Sequence, residues 1–253
     1  MRTQPPVVLG SLALLAVLVP AGCAAPARTT GARAPAPGAV PDSATIVVDV
    51  NMRRSAELSD SRGALRVFDQ EVRVEYRAGG RGSGLDAGEV TLDGRPLRRI
   101  VGGKGAMSYR LGRDESGGIV ETRDDPWMTL ANTGGSPAPA AAARVKLAPF
   151  PVVTQPAPGQ GVLRSEELAV VMLPPAVDVW YRVSLTGAGD AVNAIDLGQG
   201  RWLFPRGSLE HLGQGRARVL IEVETSCGDC EVAERLRASW SSRSQIEVPV
   251  TLL

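Results

Sequence analysis

The second half of the chain alternates apolar and polar residues with a period of two. In VDVWYRVSL, residues 177–185, Val177, Val179, Tyr181, Val183 and Leu185 fall on one face, opposite Asp178, Trp180, Arg182 and Ser184. ARVLIEVE, residues 217–224, sets Ala217, Val219, Ile221 and Val223 against Arg218, Glu222 and Glu224. QIEVPVTLL repeats the pattern through Ile246, Val248, Val250 and Leu252. This alternation predicts half-buried strands. Pro249, on the outward face of the last run, removes a ladder donor and predicts an edge strand or a bulge. In the first half, TIVVDVNM, LRVFDQEVRVEY, EVTLDGRPL and AMSYRL are short β-branched and aromatic runs between glycine-rich turns. Asp93-Gly94 is a strong two-residue hairpin signal. Strands at this spacing, with almost no helical period, predict β-sandwiches.

Breaks in the pattern divide the chain. Residues 24–41, AAPARTTGARAPAPGAVP, have no large apolar side chain except Val40 and predict a disordered tether. A coil of that length spans roughly 25 Å. A second break, NTGGSPAPAAAA at 132–143, predicts a linker. The expected organisation is a signal peptide at 1–22, a tether at 23–42, a β-sandwich at 43–131, a linker at 132–144 and a second β-sandwich at 145–253.

The first residues set the compartment. MRTQPPVVLGSLALLAVLVPAGC has one early positive residue, Arg2, then an apolar run from Val7 to Val19 too short to span a bilayer comfortably, then small residues before Cys23. This reads as a secretory signal peptide. Ala21 and Gly22 leading into a cysteine resemble the lipobox of bacterial lipoproteins, with Pro20 departing from the usual aliphatic residue. The resemblance implies that Cys23 is lipidated, palmitate among its acyl chains, and that the N-terminal lipid holds the protein to a membrane. Ala24 stands where an inner-membrane retention signal would have Asp, which leans towards the outer membrane of the cell envelope.

The second module also carries a resemblance. PVVTQPAPGQGVLRSEELAVVMLPP, DVWYRVSLTG and RWLFPRGSLEHLGQGRARVLIEVE together give a Pro-rich strand, a Pro-Gly turn, an apolar strand, an aromatic strand, a short SLEHL turn and a long apolar strand. This is similar to bacterial immunoglobulin-like domains over about 100 residues. The expected fold is all-β: two β-sandwich modules, the C-terminal one immunoglobulin-like, behind a disordered tether.

Charge changes the picture by exclusion. With 28 Lys and Arg against 27 Asp and Glu the formal charge is +1, and the arginines are interleaved with carboxylates. No basic footprint for nucleic acid exists.

The chemistry of CGDC, residues 227–230, turns on its compartment. An even pair of cysteines in an exported chain reads as a disulfide, Cys227–Cys230. The alternative is an envelope thiol-disulfide oxidoreductase, Cys227 attacking and Cys230 resolving. EVAERLRASW, with Val232, Leu236 and Trp240 at i, i+4 and i+8, offers the short helix that chemistry needs. Against it stand Asp229 and Glu231, whose charge disfavours a thiolate, and the all-β surroundings. A metal site would need two further ligands that the chain does not supply.

Other candidates read as structure. His211, the single histidine, sits in GSLEHLGQG with Ser208 and Glu210 near, but no Gly-x-Ser-x-Gly elbow exists. AGGRGSGLDAG, residues 78–88, precedes a strand and not a helix, so it predicts a mobile hairpin loop and not a phosphate loop. The acidic pairs Asp124-Asp125 and Glu166-Glu167 predict solvated turns. Trp180 and Trp202 are the candidate ligand-binding residues: exposed, they would stack on a glycan or anchor a protein, and buried they would fill a core. The expected function is non-catalytic, binding or organising an envelope protein or glycan at the membrane surface, without cofactor or metal.

Overall fold

The computed structural model describes residues 45–253 except 61–63, 80–81, 83, 113–126, 136–137, 174–177 and 234–235. The signal peptide, the tether and Cys23 lie outside the described residues, as do Asp124 and Asp125. The strands are β1 (Ile46–Leu58), β2 (Leu65–Ala78), β3 (Val90–Leu92), β4 (Arg95–Pro96), β5 (Arg98–Val101), β6 (Met107–Leu111), β7 (Trp127–Asn132) and β8 (Ala141–Lys146), followed by β9 (Val153–Gln155), β10 (Gln160–Val162), β11 (Leu168–Met172), β12 (Trp180–Gly187), β13 (Asp190–Asn193), β14 (Ile195–Gly198), β15 (Arg201–Phe204), β16 (Gly215–Ala233) and β17 (Leu236–Leu252). A short 3-10 turn at Gly103–Gly105 is the helical piece among the described residues. The fold is all-β.

The hairpin β16–β17 organises everything else. Its strands are 19 and 17 residues long, roughly 60 Å of extended chain. Along β17 burial alternates without a break, which is the two-residue pleat read over its full length. The hairpin is the centre of a nine-stranded sheet ordered β13-β12-β16-β17-β1-β2-β6-β5, with β10 paired to the far end of β17. β1 and β10 both run parallel to β17, one after the other: β1 faces Leu236 to Glu247 and β10 faces Val250 to Leu252.

Two four-stranded sheets cover one face of this sheet. The first, β4-β3-β7-β8, encloses a core of Val48, Val50, Met52, Val74, Tyr76, Tyr109, Leu130 and Trp240 with their neighbours. The second, β14-β15-β11-β9, encloses a core of Val170, Leu185, Trp202, Phe204, Ile221, Ile246 and Val248 among others. Over the second core, β9, β11, β15 and β14 face β10, β17, β16, β12 and β13, and the chain changes sheet at Ala194. That order is the immunoglobulin arrangement of strands. The Gln155-Pro156 bond between β9 and β10 is cis.

The chain does not divide where the sequence suggests. The expected linker, 132–144, carries the last residue of β7 and most of β8, paired from Asn132↔Ala141 onward. Its alanines are small enough to pack as a strand, which composition alone reads as coil. Leu236 and Trp240 complete the first core, and Leu58 of β1 packs in the second, so both cores rest on one continuous sheet. The stretch 231–240, which the redox alternative would need as a helix, belongs instead to the end of β16 and the start of β17. Positions 232, 236 and 240 are even-spaced, so they satisfy the strand period as well as the helix period.

Pro249 also differs from expectation, because β17 is an interior strand. It pairs with Arg218 of β16, while on its other side it lies between the last partner in β1 and the first in β10. The carbonyl of Pro249 accepts from the Gly159 N–H at 2.7 Å. The hairpin signal at Asp93-Gly94 holds: both residues have positive φ, 48° and 75°, as a type I′ turn requires.

Between the two cores the buried face turns polar. Arg54, Thr225, Ser242 and Ser244 occupy inward positions there and are buried. Arg54 donates from Nε to Ser244 Oγ at 3.1 Å and from Nη2 to both Ser244 Oγ and the Ala148 carbonyl, and its guanidinium lies 4.2 Å over the Phe150 ring. The Ala148 N–H donates to Ser242 Oγ at 2.8 Å, and Ser244 Oγ donates to the Ala148 carbonyl at 2.6 Å. The segment joining β8 to β9 is thereby fixed on the shared sheet by backbone groups that would otherwise be buried without partners. Burial lowers the Arg54 pKa to about 10, which still leaves it charged at neutral pH.

Candidate functional site

The uncovered face of the nine-stranded sheet is mostly polar, with Val47, Trp180 and Leu220 as apolar exceptions, because most inward apolar residues alternate with outward polar ones. Register sets the outward side chains in rows across the strands. One row runs Trp180, Glu224, Arg243, Arg53, Glu71 from β12 to β2. The next runs Ser226, Ser241, Asn51, Arg73. A third sets Ser239 beside Asp49 and Glu75. Cross-strand neighbours of opposite charge are within reach of one another and stabilise such rows.

These rows border a groove of about 570 Å³ lined by Asp49, Asn51, Arg73, Glu75, Ser226 and Ser241, with Cys227 at its rim. Asp49, Arg73, Glu75 and Arg77 satisfy one another's charge. Glu75 accepts from both Arg73 and Arg77, and Arg77 lies 3.5 Å from Asp49. Partial burial alone would raise the Glu75 carboxyl. The hydrogen bonds and charges of Arg77 and Arg73 outweigh it and hold Glu75 below its ordinary value. The bond to Glu75 raises Arg77 against a small opposing desolvation. Further along, Arg243 pairs with Glu224 at 3.0 Å and approaches Glu222 at 3.8 Å. A preorganised array of carboxylates, guanidinium forks and hydroxyls can hydrogen-bond a hydroxyl- or amide-rich ligand with little reorganisation.

The two tryptophans singled out from the sequence part company. Trp180 is 56% exposed at the end of its row, beside Glu224. Trp202 is 4% exposed and fills the second core, its ring 5.7 Å from that of Tyr181, so it is not available to a ligand. The segment RWLF is too short to show its inward face by alternation alone.

Cys227 and Cys230 are joined by a disulfide, with Cα atoms 6.1 Å apart. The bridge spans a bulge in β16: Cys227 faces Trp240 and Cys230 faces Ala238, so three steps on β16 match two on β17. Both cysteines pack against the first core. The strand continues beyond the bridge and turns into β17, so the helix N-terminus that would stabilise a thiolate does not follow it.

His211 is exposed in the turn before β16. The glycine-rich stretch 78–88 is partly built into the fold: Ala87 is fully buried, its N–H donates to Tyr109 Oη at 2.7 Å, and that hydroxyl donates to Asp86 at 3.2 Å. Asp86 in turn pairs with Arg99 at 2.8 Å. Among the described residues no group of three or more His, Cys, Asp or Glu side chains is placed to hold a metal ion. No helix among them is long and apolar enough to cross a membrane.

Sequence reasoning missed the groove. Its signal was present in EVRVEYR, where Glu71, Arg73, Glu75 and Arg77 alternate in sign on every second residue.

No protein-family model matches the chain, and no curated protein matches it. Among solved structures, the FN1-FN3 domains of chicken CNTN1 are similar at 14% identity, covering 70% of this chain and 64% of that one, with a TM-score of 0.22. The extracellular region of Plexin A4 is similar at 12% identity, covering 80% of this chain and 24% of that one, with a TM-score of 0.23. The chain thus spans less than two thirds of the length of either structure.

Proposed function

We propose that this chain is a non-catalytic lipoprotein of the bacterial cell envelope, probing its surroundings with the polar face of the nine-stranded sheet. The reading rests on one observation above the others: a half-exposed Trp180 in line with Glu224 and Arg243, on the same sheet face as a preformed polar groove. An aromatic plane flanked by hydrogen-bonding side chains suits a glycan, whose rings offer an apolar face and whose rims offer hydroxyls. A protein partner would use the same tryptophan as an anchor. The Cys227–Cys230 bridge braces the rim of the groove in either case.

Titration with chitotetraose, followed by tryptophan fluorescence, tests the glycan reading. Saturable quenching that Trp180→Ala weakens by about fivefold or more is the expected result. Quenching unchanged by Trp180→Ala, or absent, removes the glycan and leaves a protein partner.

The anchor is tested apart from the ligand. Several acyl chains on Cys23 would make a stable attachment at about 0.8 kcal/mol per buried methylene. The wild-type chain expressed in a bacterium is therefore expected in the membrane pellet and in the detergent phase on phase separation, and Cys23→Ser in the aqueous phase. Equal distribution of the two would remove the lipid anchor.

A further inference from the structure

The small sheet over the second core is apolar on both sides. In β11, LAVVM, the residues Leu168, Val170 and Met172 enter the core, so the pleat turns Ala169 and Val171 away from it. Register carries that outward side across the sheet, with Leu203 of β15 opposite Ala169 and Ile195 of β14 opposite Leu203. Val152, just before β9, and Leu173, just after β11, lie side by side, the Leu173 N–H donating to the Val152 carbonyl at 3.0 Å. Ile195, Leu197, Val152 and Leu173 are each more than half exposed. The outward side of the other small sheet carries Thr91, Thr129, Arg144 and Lys146 instead. Strands apolar on both faces are the pattern of a sheet covered on both.

Size and charge decide what covers it. These side chains leave roughly 400 Å² of apolar surface in water, close to the apolar share of a standard interface of about 800 Å² per partner. The tether cannot supply the cover, since residues 24–41 have no large apolar side chain except Val40. An anionic bilayer asks for a basic border, whereas Glu166 and Glu167 stand exposed at one end of this face. Pairing along the edge of β14 is obstructed by the irregularity between Asp196 and Gly198 and by Asp196, which shares the inward side with Trp202. The charges of the face fit a copy of itself. Arg201, opposite Val171, lies two residues to one side of the row Ile195, Leu203, Ala169. Glu167, one residue before inward Leu168, lies two residues to the other side. Both are exposed, and neither has an ion pair among the described residues. A two-fold axis along that row sets Arg201 of one copy against Glu167 of the other, and the reverse, while the apolar row meets itself.

We propose that the outward face of β14, β15, β11 and β9 docks on the same face of a second copy of this chain, about a two-fold axis along Ile195, Leu203 and Ala169. The pairing leaves the polar face of the nine-stranded sheet, with Trp180, open in both copies. It stands or falls independently of ligand binding there.

The test uses residues 23–253 with Cys23→Ser, so that neither the signal peptide nor an N-terminal lipid gathers the copies. Sedimentation velocity over a concentration series is expected to show a monomer passing to a dimer, with a dissociation constant of about 10 μM or tighter. Ile195→Glu should raise that constant by about tenfold or more, because it places a charge in the apolar row. Val101→Glu, at an exposed apolar position on β5, should leave it unchanged, and matched circular dichroism would show that the variants are folded. Arg201→Glu and Glu167→Arg should each weaken the dimer by about fivefold, and the two together should restore it to within about twofold of wild type. A monomer at every concentration, a dimer indifferent to Ile195→Glu, or a double variant weaker than either single one overturns the proposal. A monomer that instead co-sediments with phosphatidylglycerol vesicles, and loses that binding with Ile195→Glu, would give the face to a lipid surface and overturn the dimer.

Discussion

Arg54→Ala is expected to lower the unfolding free energy by about 3–5 kcal/mol, measured by denaturant unfolding followed through tryptophan emission. The substitution empties a buried volume between the cores and removes the donors to Ser244 and to the Ala148 carbonyl. Arg54→Met should lose less than half as much. Methionine refills the space over Phe150, and the cation it replaces is itself buried at a cost. A pKa held at about 10 in place of 12.5 corresponds to about 3 kcal/mol against the charged form. That penalty is of the same order as what the hydrogen bonds return. Ser244 still donates to Ala148 in both variants, so the carbonyl is not orphaned. A loss below about 1 kcal/mol for Arg54→Ala would show that the junction between the cores does not depend on this side chain.

Gly84→Ala is expected to cost about 3 kcal/mol, or roughly 6–12 °C in melting temperature for a chain of this size. A Cβ at Gly84 would sit 1.8 Å from the Met107 carbonyl oxygen and 2.8 Å from its carbon, both backbone atoms. The strands cannot part to admit it without loss. The Met107 N–H donates to the Gly84 carbonyl at 3.1 Å, and the next residue, Leu85, donates to the Tyr76 carbonyl at 2.7 Å. Gly79→Ala is the control. It has a positive φ of 59° but nothing within 4 Å of a Cβ, so its cost is the conformational one of about 1 kcal/mol. Equal melting temperatures for the two variants would refute a packing role for Gly84.

The strands were legible because alternation is a local property, and it holds along β12, β16 and β17 wherever one face is apolar. The Cys227–Cys230 bridge was legible for a similar reason, since three residues of separation fix the partner. Trp180 was placed outward by Val179 and Tyr181 on either side of it, whereas Trp202 had too few neighbours in its run to be placed. What the sequence left open was which strands share a sheet. The parallel pairing of β1 with β17 links Ile46 to Leu236, and no local pattern specifies a partner so distant. Arg54 could have been found: it occupies the inward phase set by Ile46, Val48, Val50 and Met52, and a charge in that phase signals a buried polar junction.

The shared strand also fixes the order in which the molecule can be completed. Since Leu236, Ala238 and Trp240 finish one core and Ile246, Val248, Val250 and Leu252 the other, neither core can close before β17 has joined the sheet. Contacts such as Arg54 to Ser244, 190 residues apart, give the chain a high contact order, and chains of that kind fold slowly.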